Sequence, residues 1–89
     1  MDAIQKRVDQ TAEAFRAAAW ARGAVITADR RVSEAEAAEL VGYAPGSFKN
    51  LRSLGAGPPF FNRPLAGSRI SYRLEDLANW IEQSREETY

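Results

Sequence analysis

The 89-residue chain is long enough for one small domain, residues 1–89, and its composition excludes several kinds of chemistry. It has neither cysteine nor histidine, which excludes disulfides, thiolate metal sites and histidine-dependent catalytic sets, and its twelve basic and twelve acidic residues give zero net charge. Because it has no apolar run of about 18 residues and no apolar segment after its N-terminal charges, we expect a cytoplasmic protein, not an enzyme, with no cofactor, no metal and no membrane partner.

An N-terminal amphipathic helix is predicted within residues 1–23, with Asp2 as its N-cap and Gly23 at its end. Apolar residues recur at steps of three or four and form one stripe: Ile4, Val8, Ala12, Phe15 and Ala19. We expect this stripe to pack against the last helix and enlarge a thin core, although it could instead join neighbouring protomers. Residues 24–27, Ala-Val-Ile-Thr, predict one short edge strand at most.

The most specific pattern lies in residues 32–55, which predict two short helices joined by a tight turn. Ser33 is the expected N-cap, accepting a hydrogen bond from the Glu36 N–H while the Glu36 carboxylate accepts one from the Ser33 N–H. Gly42 suits a turn with positive φ, and Pro45 suits the first position of the second helix.

The apolar spacing around Gly42 is typical of a helix-turn-helix. Ala38 is small where the helices must cross, and the expected interior residues are Ala37, Val41, Tyr43, Phe48 and Leu51. The outward side of the second helix has no acidic residue, and its polar side chains are suited to base edges and phosphates. We predict that the DNA-contacting residues of this helix are Ser47, Lys49, Asn50, Arg52 and Ser53.

A β-hairpin is predicted over residues 59–73. Its strand candidates are 60–63 and 69–73, joined by a loop of four to five residues in which Gly67 supplies the turn. A hairpin directly after the second helix occupies the position of a wing beside the DNA backbone.

Three arginines of this hairpin, Arg63, Arg69 and Arg73, are candidate DNA contacts. Arg69 is the nearest to the expected wing tip, within a run that has no acidic neighbour. Arg73 has a second interpretation, pairing with Glu75 or Asp76 to cap the last helix, and the two interpretations remain open.

The last helix is predicted over residues 74–87, with an inward face of Leu77, Trp80, Ile81 and Ser84. Because the core is thin, we expect the large side chains to supply most of it. These are Phe15, Trp20, Phe48, Phe60, Tyr72 and Trp80.

Charge is distributed unevenly along the chain. Residues 40–74 contain five basic and no acidic residues, residues 33–39 contain three acidic and no basic residues, and residues 75–89 contain five acidic residues and one basic residue. This pattern predicts a polarised surface with one face suited to phosphates.

Val32-Ser33-Glu34-Ala35-Glu36-Ala37-Ala38-Glu39-Leu40-Val41-Gly42, Pro45, Gly57-Pro58-Pro59-Phe60 and the segment Ser71–Ile81 resemble, in that order, the excisionase-type, MerR-like winged-helix family. This family includes phage excisionases and small AlpA-like regulators, and the resemblance covers roughly residues 31–82. It implies a mainly α winged helix-turn-helix, with its second helix in the major groove and its wing along the backbone or minor groove. Two features depart from the family: the second helix has fewer basic and aromatic residues than usual, and residues 2–22 lie outside the usual core.

The resemblance implies an excisionase, or recombination directionality factor, that binds and bends attachment-site DNA to promote integrase-mediated excision. Its expected partners are double-stranded DNA, an integrase and further copies of itself along the DNA, in a bacterial cytoplasm. Alternatives are a small phage or bacterial transcriptional regulator, a DNA-packaging small subunit, and a winged helix that binds only protein. Zero net charge favours the last of these, whereas the basic run favours DNA binding.

Overall fold

The computed structural model describes residues 2–86 and is mainly helical, with a small antiparallel sheet, as the sequence predicted. In chain order its elements are α1 (Ala3–Ala21), β1 (Arg31–Ser33), α2 (Glu34–Val41), α3 (Pro45–Ser53), β2 (Ser71–Arg73) and α4 (Leu74–Gln83). None of the helices in this described part combines the length and apolar character needed to cross a membrane.

Helix α1 packs along α4, as expected for its apolar stripe. The Asp2 side chain caps the helix by accepting from the Gln5 N–H at 2.7 Å, and Gly23 has the positive φ of 74° that follows many helix ends. Val8 and Ala12 are buried against Ala78 of α4, where small side chains allow the helix backbones to approach closely.

The two strands of the sheet come from distant parts of the chain. β1 pairs with β2 in antiparallel register, with Val32 opposite Tyr72, and both side chains are fully buried. The short strand predicted at residues 24–27 is wrong: the strand begins at Arg31, directly before α2.

The predicted hairpin of residues 59–73 is only partly formed. Phe61 exchanges two backbone hydrogen bonds with Ser71, at 2.8 and 2.9 Å, but residues 60–63 do not form a regular strand. Pro59 and Pro64 flank this stretch, and proline cannot donate to a β-ladder. The turn is also tighter than expected, because Ala66 and Gly67 both have positive φ and form a two-residue turn. We refer to residues 59–73 below as the hairpin segment.

The turn between α2 and α3 has the predicted local signals. The Ser33 hydroxyl accepts from the Glu36 N–H at 3.2 Å, Gly42 has a φ of 83°, and Pro45 begins α3. The reciprocal bond predicted from Ser33 to the Glu36 carboxylate is wrong: this carboxylate binds the Arg22 guanidinium at the end of α1.

Helix α4 is shorter than the predicted span of 74–87. It ends at Gln83, where the Ser84 hydroxyl donates to the carbonyls of Trp80 and Ile81 and so competes with continued helix. Ser84 is exposed, and Ala78 rather than Ser84 completes the buried face. Residue 87 lies outside the described residues.

The core lies where the sheet meets α2, α3 and α4. Its largest fully buried side chains are Tyr72, Phe48, Leu74, Leu77 and Val32. Two residues predicted to belong to the core do not: Trp20 is 72% exposed and Phe60 is 45% exposed. Trp20 follows the fully buried Ala19, and one step along a helix turns a side chain by about 100°, away from the core.

Candidate nucleic-acid interface

Helix α3 is fixed in rotation by one buried aromatic side chain. Phe48 is almost fully buried, with its ring centre 5.1 Å from that of Tyr72 and 5.9 Å from that of Tyr43. This anchor leaves four of the five side chains predicted on α3 exposed to solvent. These are Ser47, Lys49, Asn50 and Ser53.

Between α3 and the hairpin segment lies a groove of about 500 Å³. Lys49 reaches it from α3 and Arg69 from the hairpin segment, so the fold brings two predicted contact residues to one surface. The other lining residues are Glu34, Arg52, Phe60, Asn62, Ser68 and Ile70.

Lys49 and Arg69 are the available cations of this groove. Both side chains are exposed, and within residues 2–86 neither forms an ion pair with a carboxylate. Arg63 is likewise exposed and unpaired in that part of the chain, but it lies outside the groove lining. Positive charge without an internal counter-ion favours the binding of an external anion.

Arg52 lines the same groove in a different state. Its Nε donates to Glu34 Oε2 at 2.6 Å and its Nη2 to Glu34 Oε1 at 3.3 Å, and the guanidinium lies 5.7 Å above the Phe60 ring. The hydrogen bond from Arg52 to Glu34 raises the pKa of Arg52. The Tyr72 hydroxyl donates to the same Glu34 oxygen at 2.9 Å, and burial, followed by this bond, raises the pKa of Tyr72.

Arg73 is also held by the protein. Its Nη2 donates to Asp29 Oδ2 at 3.3 Å and its Nε to the Asp29 carbonyl at 3.2 Å, with the guanidinium 4.9 Å from the Phe61 ring centre. Arg73 is the N-cap residue of α4 but its side chain makes no capping bond, so pairing with Glu75 or Asp76 is not what the structure contains.

Asp29 gathers several donors on one loop. Hydrogen bonds from Thr27, then Arg31 and Arg73, lower the pKa of Asp29 to about 2. This loop therefore neutralises part of the positive charge that the sequence places in the basic run.

Sequence reasoning missed two features of the groove. Phe60 was assigned to the core, yet it is half exposed beneath Arg52. Glu34 was read only as an acidic residue at a helix start, and no local signal relates it to Arg52, which lies 18 positions away.

The site combines exposed cations with hydrogen-bonding side chains on a short helix, an arrangement suited to phosphates and base edges. Residues 2–86 contain no group of three or more carboxylates placed to hold a metal ion. A comparison of the chain with protein-family models, with curated proteins and with solved structures finds no match.

Proposed function

We propose that this chain is a winged helix-turn-helix protein of the excisionase type that binds double-stranded DNA and catalyses no reaction. In this proposal α3 enters the major groove and the hairpin segment is the wing. The observation that carries the proposal is the shared groove, in which Lys49 of α3 and Arg69 of the hairpin segment are both exposed and unpaired within the described residues.

The side chains on α3 divide into two kinds of contact. Asn50 both donates and accepts, and so matches the edge of adenine in the major groove. Lys49 and Arg69, on either side of the groove, suit successive phosphates of the backbone, and such contacts set register without reading sequence.

The strength of binding follows from the ion pairs. Of the five basic residues in 40–74, Arg52 and Arg73 are bound by Glu34 and Asp29, which leaves Lys49, Arg63 and Arg69. Three phosphate contacts give a slope of log affinity against log salt of about −2.7, which is a loss of about 40-fold between 50 and 200 mM salt. Binding this weak supports a protein that acts as several copies on adjacent sites.

The excisionase role and the integrase partner depend on the sequence resemblance described above. A transcriptional regulator would use the same DNA contacts, so the two roles differ in outcome rather than in surface. An excision assay with purified integrase and attachment-site DNA distinguishes them, because an excisionase raises the yield of excised product and a regulator does not.

The DNA-binding proposal is tested by fluorescence anisotropy with a labelled mixed-sequence duplex over a range of salt concentrations. We expect a slope of about −2.7 for the wild type, and Lys49→Ala should reduce its magnitude by about 0.9. Lys6→Ala is the matched control, because Lys6 is an exposed lysine on α1, away from the groove. Absence of duplex binding at about 50 mM salt, or equal slopes for the two variants, would refute the proposal.

A further inference from the structure

One three-residue network holds the groove together from inside. The Glu34 carboxylate at the start of α2 accepts from Arg52 on α3 and from the Tyr72 hydroxyl on β2. The side chains of Glu34 and Arg52 are only 16% and 20% exposed, and Tyr72 is fully buried. The network therefore joins both helices of the helix pair to the strand that ends the hairpin segment.

The Arg52 guanidinium is occupied on its edge and on its face. Nε and Nη2 donate to the two Glu34 oxygens, and the plane lies over the Phe60 ring. If Arg52 bound a DNA phosphate with this edge, it would leave a half-buried carboxylate and the Tyr72 hydroxyl with one partner fewer. Breaking a shielded, hydrogen-bonded ion pair by removing one partner is strongly unfavourable.

We propose that Glu34 is a positioning residue that holds Arg52 between α3 and the hairpin segment and keeps it from becoming a phosphate contact. The proposal rests on the DNA-binding function above. Arg52 then belongs to the scaffold of the groove, and Glu34 limits the affinity of the protein for DNA of any sequence.

The test is the salt dependence of duplex binding by Glu34→Gln. Glutamine retains one acceptor but has no charge, so Arg52 is released to bind phosphate. We expect the slope to steepen by about 0.9, which corresponds to about eightfold tighter binding of a mixed-sequence duplex at 0.1 M salt. The control is Glu39→Gln, the same change of charge on an exposed residue of the same helix, outside the groove lining. It should leave the slope unchanged.

The double variant Glu34→Gln/Arg52→Gln removes both charges and should return the slope to that of the wild type. Equal slopes for Glu34→Gln and Glu39→Gln would overturn the proposal, and so would a double variant whose slope is shallower than wild type by about 0.9. Each of these results requires a wild type that binds DNA, so either would refute the role of Glu34 alone. A wild type that binds no DNA would refute the proposed function itself.

A measurement on the wild-type protein keeps the proposal testable if these variants do not fold. The Arg52 Nε–H signal in an NMR titration with duplex DNA should stay in place, because its bond to Glu34 persists in the complex. The Arg69 Nε–H signal should shift. An Arg52 shift as large as that of Arg69 would overturn the proposal.

Discussion

The close packing of α1 on α4 predicts that one buried alanine does not tolerate a larger side chain. Ala12 is 1% exposed and lies against Ala78, which is fully buried. Replacing Ala12 by leucine inserts three carbon atoms where the two helices meet, and the helices must move apart to accept them. The same interface includes Val8 and the hydrogen bond from Thr11 to Glu82 at 2.9 Å, so a local separation disturbs more than one contact.

Overpacking of this kind costs about 1–3 kcal/mol. A domain of this size has a total stability of about 4–13 kcal/mol, so the loss is a substantial fraction of it. For a chain of about 90 residues, each kcal/mol lowers the thermal midpoint by about 4–8 °C. The matched control is Ala14→Leu, which places the same side chain on the exposed face of α1 and should change stability by less than about 0.5 kcal/mol.

The assay is thermal unfolding followed by circular dichroism, with Ala12→Leu and Ala14→Leu measured beside the wild type. Deletion of residues 1–22 should remove the cooperative transition altogether, because it removes the whole packed face of α1. Equal midpoints for the two leucine variants would refute the packing argument. A deletion that stays folded and loses only cooperative binding to several DNA sites would assign the stripe to assembly instead.

Three further results are expected. Arg69→Ala should reduce the salt slope by about 0.9 on every duplex sequence, and an unchanged slope would remove Arg69 from the interface. Asn50→Ala should cost about 1–3 kcal/mol on the preferred DNA site and little on mixed-sequence DNA, whereas equal losses would mean that Asn50 only orients α3. Asp29, with a pKa of about 2 in the folded protein and an ordinary value of 3.8, should stabilise the fold fully above pH 4, and this contribution should be lost as pH falls through about 2. An NMR titration that returns an ordinary pKa for Asp29 would contradict its contacts with Thr27, Arg31 and Arg73.

The elements that could be predicted from the sequence are those with local signals. Asp2 and Ser33 cap helices through the N–H of a residue three positions later, and Gly42 and Pro45 act on their own backbone conformation. The pairing of β1 with β2 carries no such signal, because Val32 meets Tyr72 across most of the domain. Periodicity over a few residues does not determine which distant strand a segment will join.

The candidate site was predictable to a similar extent. The basic run and the outward face of α3 pointed to Lys49 and Arg69, and these two residues line one groove. The pairing of Arg52 with Glu34 and of Arg73 with Asp29 joins residues 18 and 44 positions apart. A count of charges along the sequence therefore overestimates the number of cations available to DNA.

The most direct test of the central claim is an amide and side-chain NMR titration of the wild-type protein with a duplex at low salt. Our account predicts that the largest shifts fall on both walls of the groove, at Lys49 and Asn50 of α3 and at Arg69 of the hairpin segment. The exposed Trp20 on the far end of α1 should keep its indole signal unchanged. Absence of shifts on addition of duplex, or shifts confined to α1, would contradict the account.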